Sequence, residues 1–195
     1  MMVSVAIVML LALFAVTSLD SSKKTEELRT VARQLVSDVR SVQARALSAQ
    51  NIKTCTTPLG DNAVCEDSAA VCVGPCALAN PGGFGIHFEA NSSTYILFAD
   101  VNADAPNFKY TNTKENLVRR RLADTSQSVI VEQVMVPASV ANGDIVFLRQ
   151  SATPHVYYPT MVAEPNTIVV RLKHTTSNAT LDVEINRVTG RVSIL

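Results

Sequence analysis

The sequence predicts an α+β protein, in which a long N-terminal helix packs on an antiparallel β-sheet or sandwich. No glycine or proline occurs before Pro58, so one helix can run from Met1 to about Ile52. At the usual rise per residue that helix would be roughly 75 Å long. From residue 84 onward, short segments alternate apolar and polar residues with the period of a β-strand. These two patterns divide the chain into a rod and a β-rich head.

Residues 1–19 form the first half of this predicted helix and contain no charged side chain. A helix of this length, about 28 Å, just spans the hydrocarbon core of a bilayer, which predicts a transmembrane or filament-core segment. The alternatives are a cleaved signal peptide, which would carry basic residues before its apolar run, and a buried core helix. Lys23 and Lys24 follow directly and would hold this end in the cytoplasm. The cysteines described below argue instead for export.

Residues 20–52 form the second, amphipathic half of the same helix. Apolar residues recur there at four-three spacing on one face, while Arg29, Arg33, Asp38, Arg40 and Arg45 fall on other faces. Such a stripe packs across a sheet, and it can also pack against copies or relatives of the chain. Its helix-packing residues are Leu28, Ala32, Leu35, Val39, Val42 and Ala46.

Residues 53–83 are predicted to be a loop region that disulfides hold together. The four cysteines of the chain, Cys55, Cys65, Cys72 and Cys76, all fall within this stretch. An even number of clustered cysteines favours disulfides and an oxidising compartment. A zinc site is the alternative, although the spacing lacks the usual paired Cys-x2-Cys knuckles. Three disulfide pairings are open.

Residues 84–195 are predicted to form the globular head, with about seven or eight antiparallel strands. Phe84, Ile86 and Phe88 alternate with less apolar neighbours and would share an inward face. The run 95–99 would return as the partner strand of a hairpin. Further strands are predicted at 129–136, 145–148, 156–162, 168–172, 181–185 and 192–194.

This order of segments resembles that of type IV pilin-like proteins, and more narrowly the minor pilins and pseudopilins of the GspH/FimT group. Residues 1–11 resemble the body of a prepilin helix, and 28–40 with 44–46 resemble its second half. The stretches 85–88 and 95–102 look like the first hairpin of the group. The closing hairpin is matched by 185–187 and 190–192.

The resemblance implies a non-enzymatic structural subunit without a cofactor or a small-molecule substrate. Its implied partners are other pilin or pseudopilin subunits, which it would join through its N-terminal helix. Its implied place is the bacterial inner membrane, as a single-pass protein whose head lies in the periplasm or outside the cell. The peptidase signal of the family, a Gly and an apolar residue before Thr-Leu-Ile-Glu, would precede Met1. This signal is not in the sequence. Either the true start of the protein lies upstream of Met1, or the chain is a truncated mature form, or the assignment to this family is wrong.

No catalytic constellation is evident in the sequence. His87, His155 and His174 are scattered over strand segments, and structural histidines outnumber ligands in such positions. The run Asp100-Val101-Asn102-Ala103-Asp104 offers oxygen side chains from Asp100, Asn102 and Asp104, as calcium loops do. Because Ala105 and Thr111 stand where such loops carry Gly and Glu, an ordinary polar turn is favoured over a weak calcium site.

Arg119, Arg120 and Arg121 form the densest basic run. With Arg187 and Arg191 they could bind the phosphates of DNA, since the resemblance includes proteins that assist DNA uptake. A solvated surface is the simpler interpretation, because the net charge is +0. A secreted or anchored binding module with an N-terminal signal peptide is the remaining alternative function.

Overall fold

The computed structural model describes residues 2–65, 72–101, 109–111, 115–122, 128–136, 138–151, 153–157 and 165–195, with the helix side chains from residue 22 onward. The chain begins with one helix, α1, at Met2–Leu47. The described part then contains thirteen strands: β1 Ile52–Thr56, β2 Asn62–Val64, β3 Ala77–Ala79, β4 Gly83–Glu89, β5 Thr94–Ala99, β6 Asn116–Arg121, β7 Val129–Val136, β8 Ala138–Val140, β9 Asn142–Leu148, β10 Pro154–Tyr157, β11 Thr167–His174, β12 Thr180–Asn186 and β13 Val192–Ile194.

The strands form three antiparallel sheets. A small sheet has the order β2-β1-β3, a second sheet has the order β10-β9-β4-β5-β6, and a third has the order β13-β12-β11-β7-β8. The predicted first hairpin is present, with Phe84 opposite Ala99 and Phe88 opposite Tyr95. The predicted closing hairpin is present too, with Ile185 opposite Val192.

The predicted α+β class with a membrane-embedded first half of the helix is wrong. The structure is mostly β, with 48% of its residues in strands, and the one helix among the described residues has described side chains over about 26 residues. Within the described part of the chain, no helix combines the length and apolar character that a bilayer crossing requires. The sequence predicted seven or eight strands, whereas the described part of the chain has thirteen. The additional strands are short and pair in segments without a clear alternating pattern.

The core lies where α1 packs against the second and third sheets. The helix contacts β4 and β9 of the second sheet and β11, β12 and β13 of the third. The six residues of the predicted stripe are 0–2% exposed, as are the inward side chains of β4. Burying a leucine or phenylalanine side chain contributes roughly 1.5–3 kcal/mol to the free energy of unfolding. The contact between α1 and the two large sheets therefore supplies much of the stability of the head.

Two segments differ from the sequence interpretation. The helix ends at Leu47 rather than near Ile52, because Ala49 takes a left-handed conformation with a φ of 49° and the Gln50 amide donates to the carbonyl of Arg45. The chain then enters β1 directly. The region predicted as a loop therefore contains the small sheet.

Candidate assembly surface

Asp38 joins the helix to the second sheet. Asp38 is 5% exposed, and the Tyr95 hydroxyl donates to its Oδ2 atom over 2.6 Å. The Arg120 Nε atom lies 3.4 Å from the same oxygen, while the Gln34 amide donates to Oδ1 over 3.2 Å. Tyr95 and Arg120 are opposite each other on β5 and β6, so both side chains reach the helix from one face. A buried carboxylate with these partners fixes where α1 sits on the sheet.

Tyr95 is held in its protonated form. Burial raises the pKa of its hydroxyl well above the usual value, and the hydrogen bond to Asp38 and the negative charge of that carboxylate raise it further. The positive charge of Arg120 lowers the pKa slightly. The phenol therefore remains a hydrogen-bond donor under alkaline conditions in which an exposed tyrosine ionises.

Tyr95→Phe is expected to change how stability depends on pH. At pH 8 the variant should be about 1–3 kcal/mol less stable, because Asp38 loses its shortest donor. In the wild type the folded tyrosine stays protonated while the unfolded one ionises near pH 10, so its stability falls above that pH by up to about 1.4 kcal/mol per unit. The variant lacks this loss. Urea unfolding between pH 8 and pH 11 should show the two proteins converging, and a constant difference would contradict the assignment.

Glu27 makes a second connection, between the helix and the third sheet. The Ser128 hydroxyl donates to Oε1 of Glu27, and Nε2 of His174 lies 3.4 Å from Oε2. His174 is 2% exposed, and its Nδ1 accepts hydrogen bonds from the backbone amides of Thr176 and Ser177, each at 3.3 Å. Because Nδ1 is an acceptor, Nε2 carries a proton, and this proton points at Glu27.

The end of the helix makes a third connection. The Gln150 amide, in the turn between β9 and β10, donates to the carbonyl of Ala46 over 2.9 Å. The Arg149 guanidinium donates to the carbonyl of Ala49 over 3.2 Å. The carbonyl of Ala46 also accepts from the Ala49 amide over 3.1 Å, so the two donors attach the end of the helix to the turn after β9. The three connections together hold α1 to both large sheets from Glu27 to its end.

The cysteines form two disulfides, as predicted. Cys55 bonds to Cys72 and Cys65 bonds to Cys76, which selects one of the three open pairings. The sulfur atoms of Cys55, Cys65 and Cys72 lie within 4.8 Å of one another. A zinc ion would need these sulfurs as free thiolates. In the structure they are covalently paired, and they join the small sheet to the segment that enters β3.

The structure does not gather the three histidines. His87, on β4, lies 2.6 Å from Asp144 on β9, and its ring packs on that of Tyr110 with centroids 4.5 Å apart. The Tyr110 amide donates to the same carboxylate over 3.0 Å. These contacts attach the segment around Tyr110 to the outward face of the second sheet. His155 lies on the edge strand β10, and His174 lies on the third sheet.

The remaining predicted sites are partly described. Asp100 follows β5 and is 1% exposed, whereas Asn102 and Asp104 lie outside the described residues, so the calcium prediction stays a prediction. Arg119, Arg120 and Arg121 lie on the edge strand β6 of the second sheet. Arg187 and Arg191 flank the turn before β13 of the third sheet, and Arg187 donates to the carbonyl of Pro165. The DNA-binding prediction also stays untested.

Sequence reasoning missed the polar residues that connect helix and head. Asp38 was predicted to lie on a face other than that of the apolar stripe, although it follows Leu35 by three residues and precedes Val42 by four, which is the spacing of the buried stripe. That spacing is the signal that could have found it. No such signal marks Tyr95 or Glu27, because their partners are distant in sequence. Comparison with known proteins gives no match, whether with protein-family models, curated proteins or solved structures.

Proposed function

We propose that the chain is a structural subunit of a filament, of the minor pilin or pseudopilin kind, which joins its neighbours through α1. The observation that carries this proposal is the length of α1 before the first of the three connections described above. That connection is at Glu27, while the helix itself begins at Met2. About 25 residues, or roughly 38 Å of helix, thus precede the first of the three connections.

The sequence of the leading part of α1, residues 2–26, supports association between copies or relatives of the chain. Residues 1–19 contain no charged side chain, and apolar helical surface is removed from water when helices pack together. The remainder of α1 is bound to both large sheets. A subunit that contacts its neighbours through the leading part would therefore transmit each contact to a firmly attached head.

The two disulfides support a place outside the reducing cytoplasm. Such bonds persist in the periplasm and at the cell surface, and they are rare where thiols are kept reduced. The periplasm or the cell exterior is the compartment we propose for the head. The resemblance to the GspH/FimT group implies the same compartment for the head.

A filament-incorporation assay tests the proposal. The chain, with an affinity tag after Leu195, is produced in its native host, filaments are sheared from the cells and sedimented, and the tagged chain is quantified by immunoblot. Leu11→Lys places a charge in the apolar leading part and is expected to reduce incorporation at least about tenfold. Leu59→Lys is the matched control, because Leu59 is 82% exposed on the head.

The disulfides and the melting temperature of the purified full chain should be the same in both variants. Two results would contradict the proposal: a wild-type chain that is abundant in the periplasm yet absent from the filament fraction, or equal incorporation of Leu11→Lys and wild type.

A further inference from the structure

A groove runs between α1 and β13, the edge strand of the third sheet. Its volume is about 420 Å³, and it is lined by Arg33, Val36, Ser37, Arg40, Val192 and Ile194. Val192 is 5% exposed and forms the floor, while Ile194 is 39% exposed at the open side. The groove therefore combines an apolar floor from the strand with a polar, basic wall from the helix.

The backbone of β13 carries hydrogen-bonding groups that β12 does not use. The Asn186 amide donates to the carbonyl of Arg191, and the Leu195 amide donates to the carbonyl of Asp182, each over 2.9 Å. Hydrogen-bonded pairs alternate along an antiparallel ladder, so the amides and carbonyls of Val192 and Ile194 point away from β12. Among the described strands, β12 is the only neighbour of β13. The edge can therefore accept another strand.

The wall of the groove is positively charged. Arg29, Arg33 and Arg40 follow one another along the same flank of α1, and all three are exposed. Glu26 lies 4.0 Å from Arg29 and 3.3 Å from Arg33, so a single carboxylate partly neutralises two arginines. No described carboxylate forms an ion pair with Arg40. The flank keeps a net positive charge beside the free strand edge.

We propose that this groove binds an extended, acidic segment of a different polypeptide, which adds to β13 as a further strand. Its backbone would pair with Val192 and Ile194. Alternate side chains of such a strand point in opposite directions, so the acidic ones would enter the groove and reach Arg33 and Arg40, while the apolar ones would lie on the other face of the sheet. The inference goes beyond the proposed function and does not depend on it.

A second copy of the chain does not fit this description. The described edge strands that a copy could offer contain no Asp or Glu, and the longest of them, β6, ends in three arginines that the basic flank would repel. Those strands are β2, β3, β6, β8, β10 and β13. None of the described edge strands could thus supply the carboxylates, which favours a segment of another protein as the occupant.

Peptide binding to the full chain tests the proposal. Fluorescent peptides of about eight residues, a usual strand length, would alternate valine with glutamate, glutamine or lysine. Fluorescence anisotropy should show the glutamate peptide binding at least about fivefold more tightly than the glutamine peptide, and the lysine peptide should not bind. Hydrogen exchange should slow at the amides of Val192 and Ile194 when the glutamate peptide is added.

Matched variants distinguish addition of a strand to β13 from nonspecific electrostatic attraction of the peptide. Ile194→Pro removes an amide that β12 does not use, so it should abolish binding without unfolding the sheet, whereas Ile194→Val keeps that amide and should bind normally. Arg40→Glu should weaken binding about fivefold or more, whereas Arg119→Glu, on the other sheet, should not.

Equal binding of the three peptides, or no binding of the glutamate peptide, would overturn the proposal. Self-association of the chain that protects the same amides would overturn it as well. None of these results would alter the filament assay, which depends on the leading part of α1.

Discussion

Gly85→Ala is expected to destabilise the protein by about 3 kcal/mol, in the upper range for an overpacked core. A Cβ atom at this position in β4 would lie 2.5 Å from Cζ of Phe98 and 2.8 Å from the carbonyl oxygen of Ile145. The Phe98 ring lies over the glycine and meets Tyr110 edge-on, with centroids 5.5 Å apart. The ring could move only by losing that contact, and the carbonyl belongs to the neighbouring strand.

Urea unfolding monitored by circular dichroism measures this loss. Gly74→Ala is the matched control, because no atom lies within 4 Å of the Cβ that would be added there. Gly85→Ala combined with Phe98→Leu should recover part of the stability, since the ring clash is relieved while the clash with Ile145 remains. A loss below about 1 kcal/mol for Gly85→Ala would show that the second sheet accommodates the methyl group.

Removal of the Cys55–Cys72 disulfide, by Cys55→Ala with Cys72→Ala, is expected to cost about 3 kcal/mol. The two cysteines are 17 residues apart, and the bond limits the conformations of that loop in the unfolded chain. In the folded state it also connects β1 to the segment before β3. We therefore expect hydrogen exchange to accelerate first in the small sheet, while the two large sheets keep their protection.

The second disulfide provides the comparison for this experiment. Cys65 and Cys76 are 11 residues apart, so Cys65→Ala with Cys76→Ala should cost slightly less, by a few tenths of a kcal/mol. The free energy of unfolding of each double variant is measured under oxidising conditions. Equal stability of the wild type with and without a reducing agent would contradict a stabilising role for both bonds.

The helix stripe and most long strands could be predicted from the sequence because they depend on periodicity alone. Leu35 and Val42 repeat at helical spacing, and Ile168 and Val170 repeat at strand spacing, so each element shows its buried face without knowledge of its partner. The residues of the stripe from Leu28 to Ala46 are buried. Local pattern was sufficient wherever an element is amphipathic.

The fold class and the connections between elements could not be predicted in this way. The small sheet formed in a segment of turn residues, where short strands such as Asn62–Val64 are too brief to show a period. Asp38 is buried only because Tyr95 and Arg120 approach it from strands far along the chain. The disulfide pairing likewise depends on which strands are neighbours, which cysteine spacing does not contain.

The three connections of α1 to the head have a mechanical consequence. They occur at Glu27, Asp38 and Ala46, and so extend over about 28 Å of the helix axis. Tension applied along that axis strains all three at once, so rupture requires them to fail together. A sideways force at the leading end would instead open them one after another. The attachment of α1 to the head should therefore withstand a larger force along the helix axis than across it.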